Sequence, residues 1–197
     1  PAAPAKPAVS AQAQSPAAAP AKPNPLRDVF FGETHIHTSW SFDAYVFGNT
    51  LTGPEDAYQF ALGKPIRHPA GYMVQLKRPL DFAAVTGHSE YLCTIPLAND
   101  PQSDLSKLPI ARQLTVKSKD DIQKIYLFLA TTILKKEPIK ELVSPEVAGS
   151  VWRRVADIAD KFYKPGTFTT FAAYQWSSTP DNRNLHRNVI FKNSKKI

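Results

Sequence analysis

The sequence predicts an α/β fold with a parallel sheet, and three observations lead there. Short apolar runs of strand length alternate with longer segments of helical period. The runs at 28–33 and 81–86 each lead into histidines. Strands separated by helical crossovers pair in parallel, and chemistry gathered at strand ends is the habit of α/β sites.

Taken in order, residues 1–24 stand apart from the rest. Of the first 23, 16 are Ala or Pro, with little to bury, so a disordered, partly polyproline tether is expected. The domain proper is expected over 25–197. Residues 28–33 read as a buried strand that delivers the segment 34–38, Thr-His-Ile-His-Thr, at its C-terminal end. Residues 52–61 read as a short helix with Pro54 in its first turn, and 63–79 as turn-rich. A second strand at 81–86 leads past Gly87 to His88.

Ser118 opens a helix running to about Leu134, and Ser144-Pro145 opens another whose Trp152, Val155, Ala159 and Phe162 share one face. Residues 168–174 alternate as a third strand and 188–191 form a fourth, with a polar stretch at 177–184 between them. These strands are too few to close a barrel.

Composition narrows the function classes. The net charge is +7, yet the basic residues are scattered and lack the interleaved aromatics of a stacking platform, so nucleic acid is not an expected partner. No apolar run approaches the ~18 residues of a membrane span. An Ala/Pro/Lys tether at an N-terminus without Met commonly follows a removed export signal, so the expected location is exported, in a bacterial periplasm or outside the cell. The lone Cys93 reads as a small buried apolar residue, and Trp40, Trp152 and Trp176 as core or pocket wall.

The chain has five histidines, and four of them fall close to predicted strand ends: His35, His37, His88 and His186. Residues two apart on a strand face the same side, so His35 and His37 can serve one site. Neutral imidazole is a common ligand for zinc, manganese and iron. A lone His-x-His is a weak signal, since two surface histidines give the same pattern. The nearby carboxylates of Glu33, Asp43 and Glu90 strengthen it, because mixed N/O ligation suits hydrolytic metals. His68, followed by Pro69 with no strand before it, reads as a loop residue.

The segment 31–45, Phe-Gly-Glu-Thr-His-Ile-His-Thr-Ser-Trp-Ser-Phe-Asp-Ala-Tyr, resembles the PHP (polymerase and histidinol phosphatase) superfamily of metal-dependent phosphoesterases. Within it, the segment is similar to a bacterial branch described as domain-of-unknown-function family 3604. Further matching blocks lie at 80–92, 171–178 and 184–191. The resemblance implies the N-terminal part of a distorted (β/α)7 barrel, incomplete in this chain, with two or three divalent manganese, zinc or iron ions at its mouth. It assigns His35, His37, Asp43, His88 and His186 as metal ligands, Gln175 to the position of a bridging Glu, and Arg187 to hold a substrate anion.

Two departures accompany it. Gly87 stands where the superfamily has an Asp beside its histidine, and Gln175 replaces the bridging Glu with a neutral amide. The superfamily's remaining ligands would lie downstream of Ile197. The implied activity is hydrolysis of a small anionic ester by metal-bound water, most simply as a phosphoesterase. A sulfate-ester hydrolase with the same site is one alternative. A catalytically impaired metal- or glycan-binding protein is the other, and oligomeric state is left open.

Overall fold

The computed structural model describes residues 28–194, so the expected tether at 1–24 lies outside the described residues. In chain order the elements are β1 (Gly32–Ile36), α1 (Phe42–Val46), α2 (Pro54–Ala61), β2 (Ile66–Arg67), β3 (Met73–Val74), β4 (Phe82–Val85), α3 (Thr94–Asn99), α4 (Lys119–Lys135), α5 (Pro145–Phe162), β5 (Thr169–Phe171), β6 (Ala173–Trp176) and β7 (Arg187–Ile190). Short 3-10 turns at Asp104–Lys107 and Pro109–Leu114 join α3 to α4.

The result is a mixed α/β arrangement of small sheets with no closed barrel among the described residues. Its centre is a parallel sheet in the order β1-β4-β5. β4 lies in the middle, which is why Ala83 and Ala84 are fully buried, whereas β1 is an edge. β2 and β3 form a small hairpin inside the turn-rich stretch, with His68 in its connection stacked on Tyr72 at 4.4 Å.

The strand expected at 28–33 begins later, at Gly32, and it is not buried. Pairing starts where Gly32 faces Phe82, so Val29 and Phe30 precede the ladder and are 69% and 67% exposed. His35 therefore belongs to the strand itself, and only His37 lies beyond it. The strand expected over 168–174 is two strands. β5 ends the parallel sheet at Phe171, the chain turns at Ala172, and β6 pairs antiparallel with β7. The uniformly parallel sheet of the sequence reading is thus corrected to a parallel core with an antiparallel hairpin. Alternation continues across the break, so the pattern hides it.

The two long helices follow their signals. At α4, Ser118 Oγ accepts from the Asp121 N–H and the Asp121 carboxylate accepts from the Ser118 N–H, a reciprocal cap. Pro145 starts α5 behind Ser144, and its buried Val151, Val155, Ala159 and Phe162 form one stripe. In α5, Ala156, Ala159 and Phe162 pack with α2 against the sheet, around the buried Tyr58 and Phe168. A second apolar cluster joins α1, α3, the 3-10 turns and α4. The C-terminal ends of β1 and β4 open between the two.

Gly32 marks the tightest approach in the sheet. A Cβ there would collide with the Phe82 ring. Gly32→Ala is expected to destabilise the protein by about 1–3 kcal/mol, the usual cost of forced overpacking, as read from a denaturant midpoint. An unchanged midpoint would show that the Phe82 ring moves aside freely.

Candidate metal centre

Three side chains form the heart of the site. His37 follows β1, Asp43 lies in the first turn of α1, and His88 follows β4. One donor atom from each lies within 4.8 Å of the other two. The Asp43 carboxylate is the hub. Its Oδ2 lies 2.8 Å from His37 Nδ1 and 3.6 Å from His88 Nε2, and its Oδ1 accepts from the Ser41 hydroxyl at 2.5 Å and the Ala44 N–H at 2.7 Å. Burial by itself would raise the pKa of this carboxyl. Hydrogen bonds from His37 and Ser41 outweigh burial and hold it well below the usual carboxylate range, so the group is anionic at neutral pH.

A β-bulge sets the histidine pair. Between the partners Glu33↔Ala83 and Ile36↔Val85, β1 holds two residues against one on β4. The freed N–H groups of Thr34 and His35 donate to the Glu33 carboxylate at 2.8 Å each. The Thr86 hydroxyl closes the gap by accepting from the Ile36 N–H and donating to the Thr34 carbonyl. Glu33 thus holds the backbone beneath the histidines and does not line their cleft.

His88 is oriented from the opposite side. Ser177 Oγ donates to Glu90 Oε2 at 2.6 Å, so toward His88 Nδ1, also 2.6 Å away, it acts as acceptor. That fixes the proton on Nδ1 and leaves the Nε2 lone pair beside Asp43. His186 sits immediately before β7, and a Nδ1–H donated to the Ser178 carbonyl at 3.3 Å again frees Nε2. The four rings form a row, with centroid spacings of 5.1 Å from His35 to His37, 4.9 Å from His37 to His88 and 5.3 Å from His88 to His186.

All four histidines, Asp43 and Gln175 line one cleft of about 670 Å³. Two buried atoms in it, His37 Nε2 and Gln175 Oε1, have no hydrogen-bond partner among the described residues. Buried acceptors are rarely left so, because desolvation without compensation costs on the order of 1–3 kcal/mol. An anionic carboxylate, imidazole lone pairs and an amide oxygen aimed into one space are a donor set that fits a divalent cation.

Residues 24–197 match the family described as Protein of unknown function (DUF3604). The chain belongs to that family. No curated protein and no solved structure matches it.

In this DUF3604 chain the glycine before His88 has a steric reason. A Cβ at Gly87 would lie 3.2 Å from the Ser41 Cβ and 3.1 Å from a Leu92 methyl, and Ser41 is fully buried. Ser41 both donates to Asp43 and accepts the His88 N–H at 3.0 Å, so the space an aspartate would need is already used to align two candidate ligands. Glu90, acting through Ser177, supplies His88 with a carboxylate from elsewhere.

Arg187 does not line the cleft. Its guanidinium donates to the His186 carbonyl at 2.9 Å on an exposed strand. Ser41 and Ser177 are the residues that sequence reasoning missed, since a lone serine carries no spacing signal. Cys93 is buried, which pushes its thiol up to about 12 and leaves it no nucleophile at neutral pH. Trp152 packs on Tyr174 and Phe191, whereas Trp176 is half exposed on a neighbouring pocket wall.

Proposed function

We propose that this DUF3604 protein is a metal-dependent hydrolase of small anionic esters, most simply a phosphoesterase of the PHP type. In this reading the described residues are the N-terminal part of a distorted (β/α)7 barrel and the protein works outside the cytoplasm. The reading rests chiefly on one observation, the convergence of His37, Asp43 and His88 within 4.8 Å at the C-terminal ends of two parallel strands.

His37, Asp43 and His88 would hold one divalent ion of the manganese, zinc or iron type, with His35, His186 and the Gln175 amide oxygen extending the donor set toward a second. Such an ion acidifies water and neutralises charge developing on the ester's oxygens. The chain's own residues perform the alignment. Ser41 and Ala44 fix the carboxylate of Asp43, and Glu90 with Ser177 fixes the His88 tautomer. Buried Phe42 packs against the His88 ring at 5.0 Å and keeps bulk water from that side.

The test is hydrolysis of an aryl phosphate and an aryl sulfate by the full-length protein in manganese, wild type against a His35→Ala, His37→Ala double variant. Turnover is expected to fall by at least about 1000-fold, in keeping with the several kcal/mol that a hydrolytic metal supplies. Retention of both activities in the double variant would remove the metal role. The neutral Gln175 favours a second reading, an impaired metal-binding protein. Wild-type protein that binds manganese, turns over no ester, and gains turnover with Gln175→Glu would support it.

A further inference from the structure

The ligand cluster occupies one side of its cleft, and the other side is apolar. Phe42 and Phe47 at α1, with Tyr126, Ala130, Ile133 and Leu134 from α4, make up that wall. Its rings run outward from the imidazoles as a ladder. Phe42 lies 5.0 Å from the His88 ring, Tyr126 6.1 Å from Phe42, and Phe47 5.1 Å from Tyr126. Exposure rises along the ladder from 5% at Phe42 to 72% at Phe47. Large apolar side chains grouped at the rim of a polar-floored cleft mark a surface that covers something apolar.

Charge supplies a second, independent observation. None of the described residues lining the cleft is Lys or Arg, although the chain carries 24 of them. Any anionic group there has only cations at the His/Asp cluster to balance it. The cleft thus suits one tetrahedral anion and offers nothing to a second charged group. The α1/α4 wall presents few hydrogen-bonding groups beyond the Tyr126 hydroxyl, so a sugar's hydroxyls would be desolvated against it without partners.

Building on the hydrolase reading above, we propose that the substrate is the monoester of a flat apolar alcohol, a phenol-type phosphate. Its anionic head sits at His37, Asp43 and His88, and its ring lies against Phe47 and Tyr126. In the reaction a water oxygen forms the new bond to phosphorus and the bridging P–O bond breaks. The leaving phenolate takes up the water's proton, so that the products are a phenol and inorganic phosphate.

The experiment measures binding separately from turnover. Calorimetry on the manganese-loaded full-length protein compares phenylphosphonate with methylphosphonate, in wild type and in Phe47→Ala. Parallel assays compare hydrolysis of phenyl phosphate with that of glycerol 2-phosphate and glucose 6-phosphate. Phenylphosphonate is expected to bind roughly tenfold tighter than methylphosphonate, the discrimination one apolar contact surface provides, and Phe47→Ala is expected to erase most of that difference. Phe47 is exposed enough that its truncation should leave the thermal midpoint unchanged.

Equal affinity for the two phosphonates, a phenyl preference untouched by Phe47→Ala, or faster hydrolysis of the sugar phosphate would each overturn the proposal. A Phe47-dependent phenyl preference with no hydrolysis of any ester would instead overturn the hydrolase reading and leave the ligand class standing. Higher turnover of phenyl sulfate than of phenyl phosphate would keep the apolar alcohol and replace the phosphate head.

Discussion

Asp43→Asn is expected to weaken manganese binding by about 100-fold or more, measured by calorimetric titration of the metal-free protein. Losing an outer partner of a metal ligand commonly costs 10–100-fold, and Asp43 is itself the anionic member of the cluster. The substitution is nearly isosteric, so the effect isolates charge and acceptor number. Asp43 uses both oxygens as acceptors, one toward the His37 imidazole and the other toward Ser41 Oγ and the Ala44 N–H. An amide retains only one of these faces. Whichever way it turns, it sets an NH2 group against either the Ala44 N–H or the imidazole side. Wild-type affinity in this variant would remove Asp43 from the ligand set.

The second large effect concerns residues that touch no ion. Ser177→Ala is expected to lower manganese affinity by roughly 10–100-fold, with Glu90→Gln in the same direction but smaller, because each leaves the His88 tautomer undetermined. Gly87→Asp, which places a carboxylate directly before His88, is expected not to rescue Ser177→Ala and to weaken binding on its own. Its side chain would displace Ser41, which aligns both Asp43 and the His88 backbone. Manganese titration of the three variants and the double variant decides this. Recovery of affinity in the Gly87→Asp, Ser177→Ala double variant would show that the site accepts either carboxylate.

The parts legible in the sequence were those with a local physical cause. The caps at Ser118 and Ser144 announce α4 and α5, and apolar stripes of helical period follow them. The run at 81–86 becomes the central strand, with the small Ala83 and Ala84 fully buried between two neighbouring strands. The candidate ligands His37 and His88 were legible because each lies within three residues of a strand's C-terminal end.

What stayed hidden depends on long-range geometry or on lengths too short to show a period. Helix α1, which carries Asp43 and Phe42, is five residues long. The break at Ala172 lies inside an unbroken alternating pattern, and the antiparallel turn of β6 is specified by its pairing with β7. Ser177 reaches His88 across 89 residues of chain, a separation over which sequence spacing carries no information.

The β1 bulge bears on whether this histidine pair is portable. His35 and His37 are displayed by a distortion that has three supports outside them, namely the Glu33 carboxylate, the Thr86 hydroxyl on the neighbouring strand, and a register that sets two residues against one. Residues 34–37 grafted onto a regular strand elsewhere would keep the spelling of the pair and lose its aim. A working transplant would have to move Glu33 and the β4 partner as well, so the inheritable unit is a two-strand joint and not a tetrapeptide.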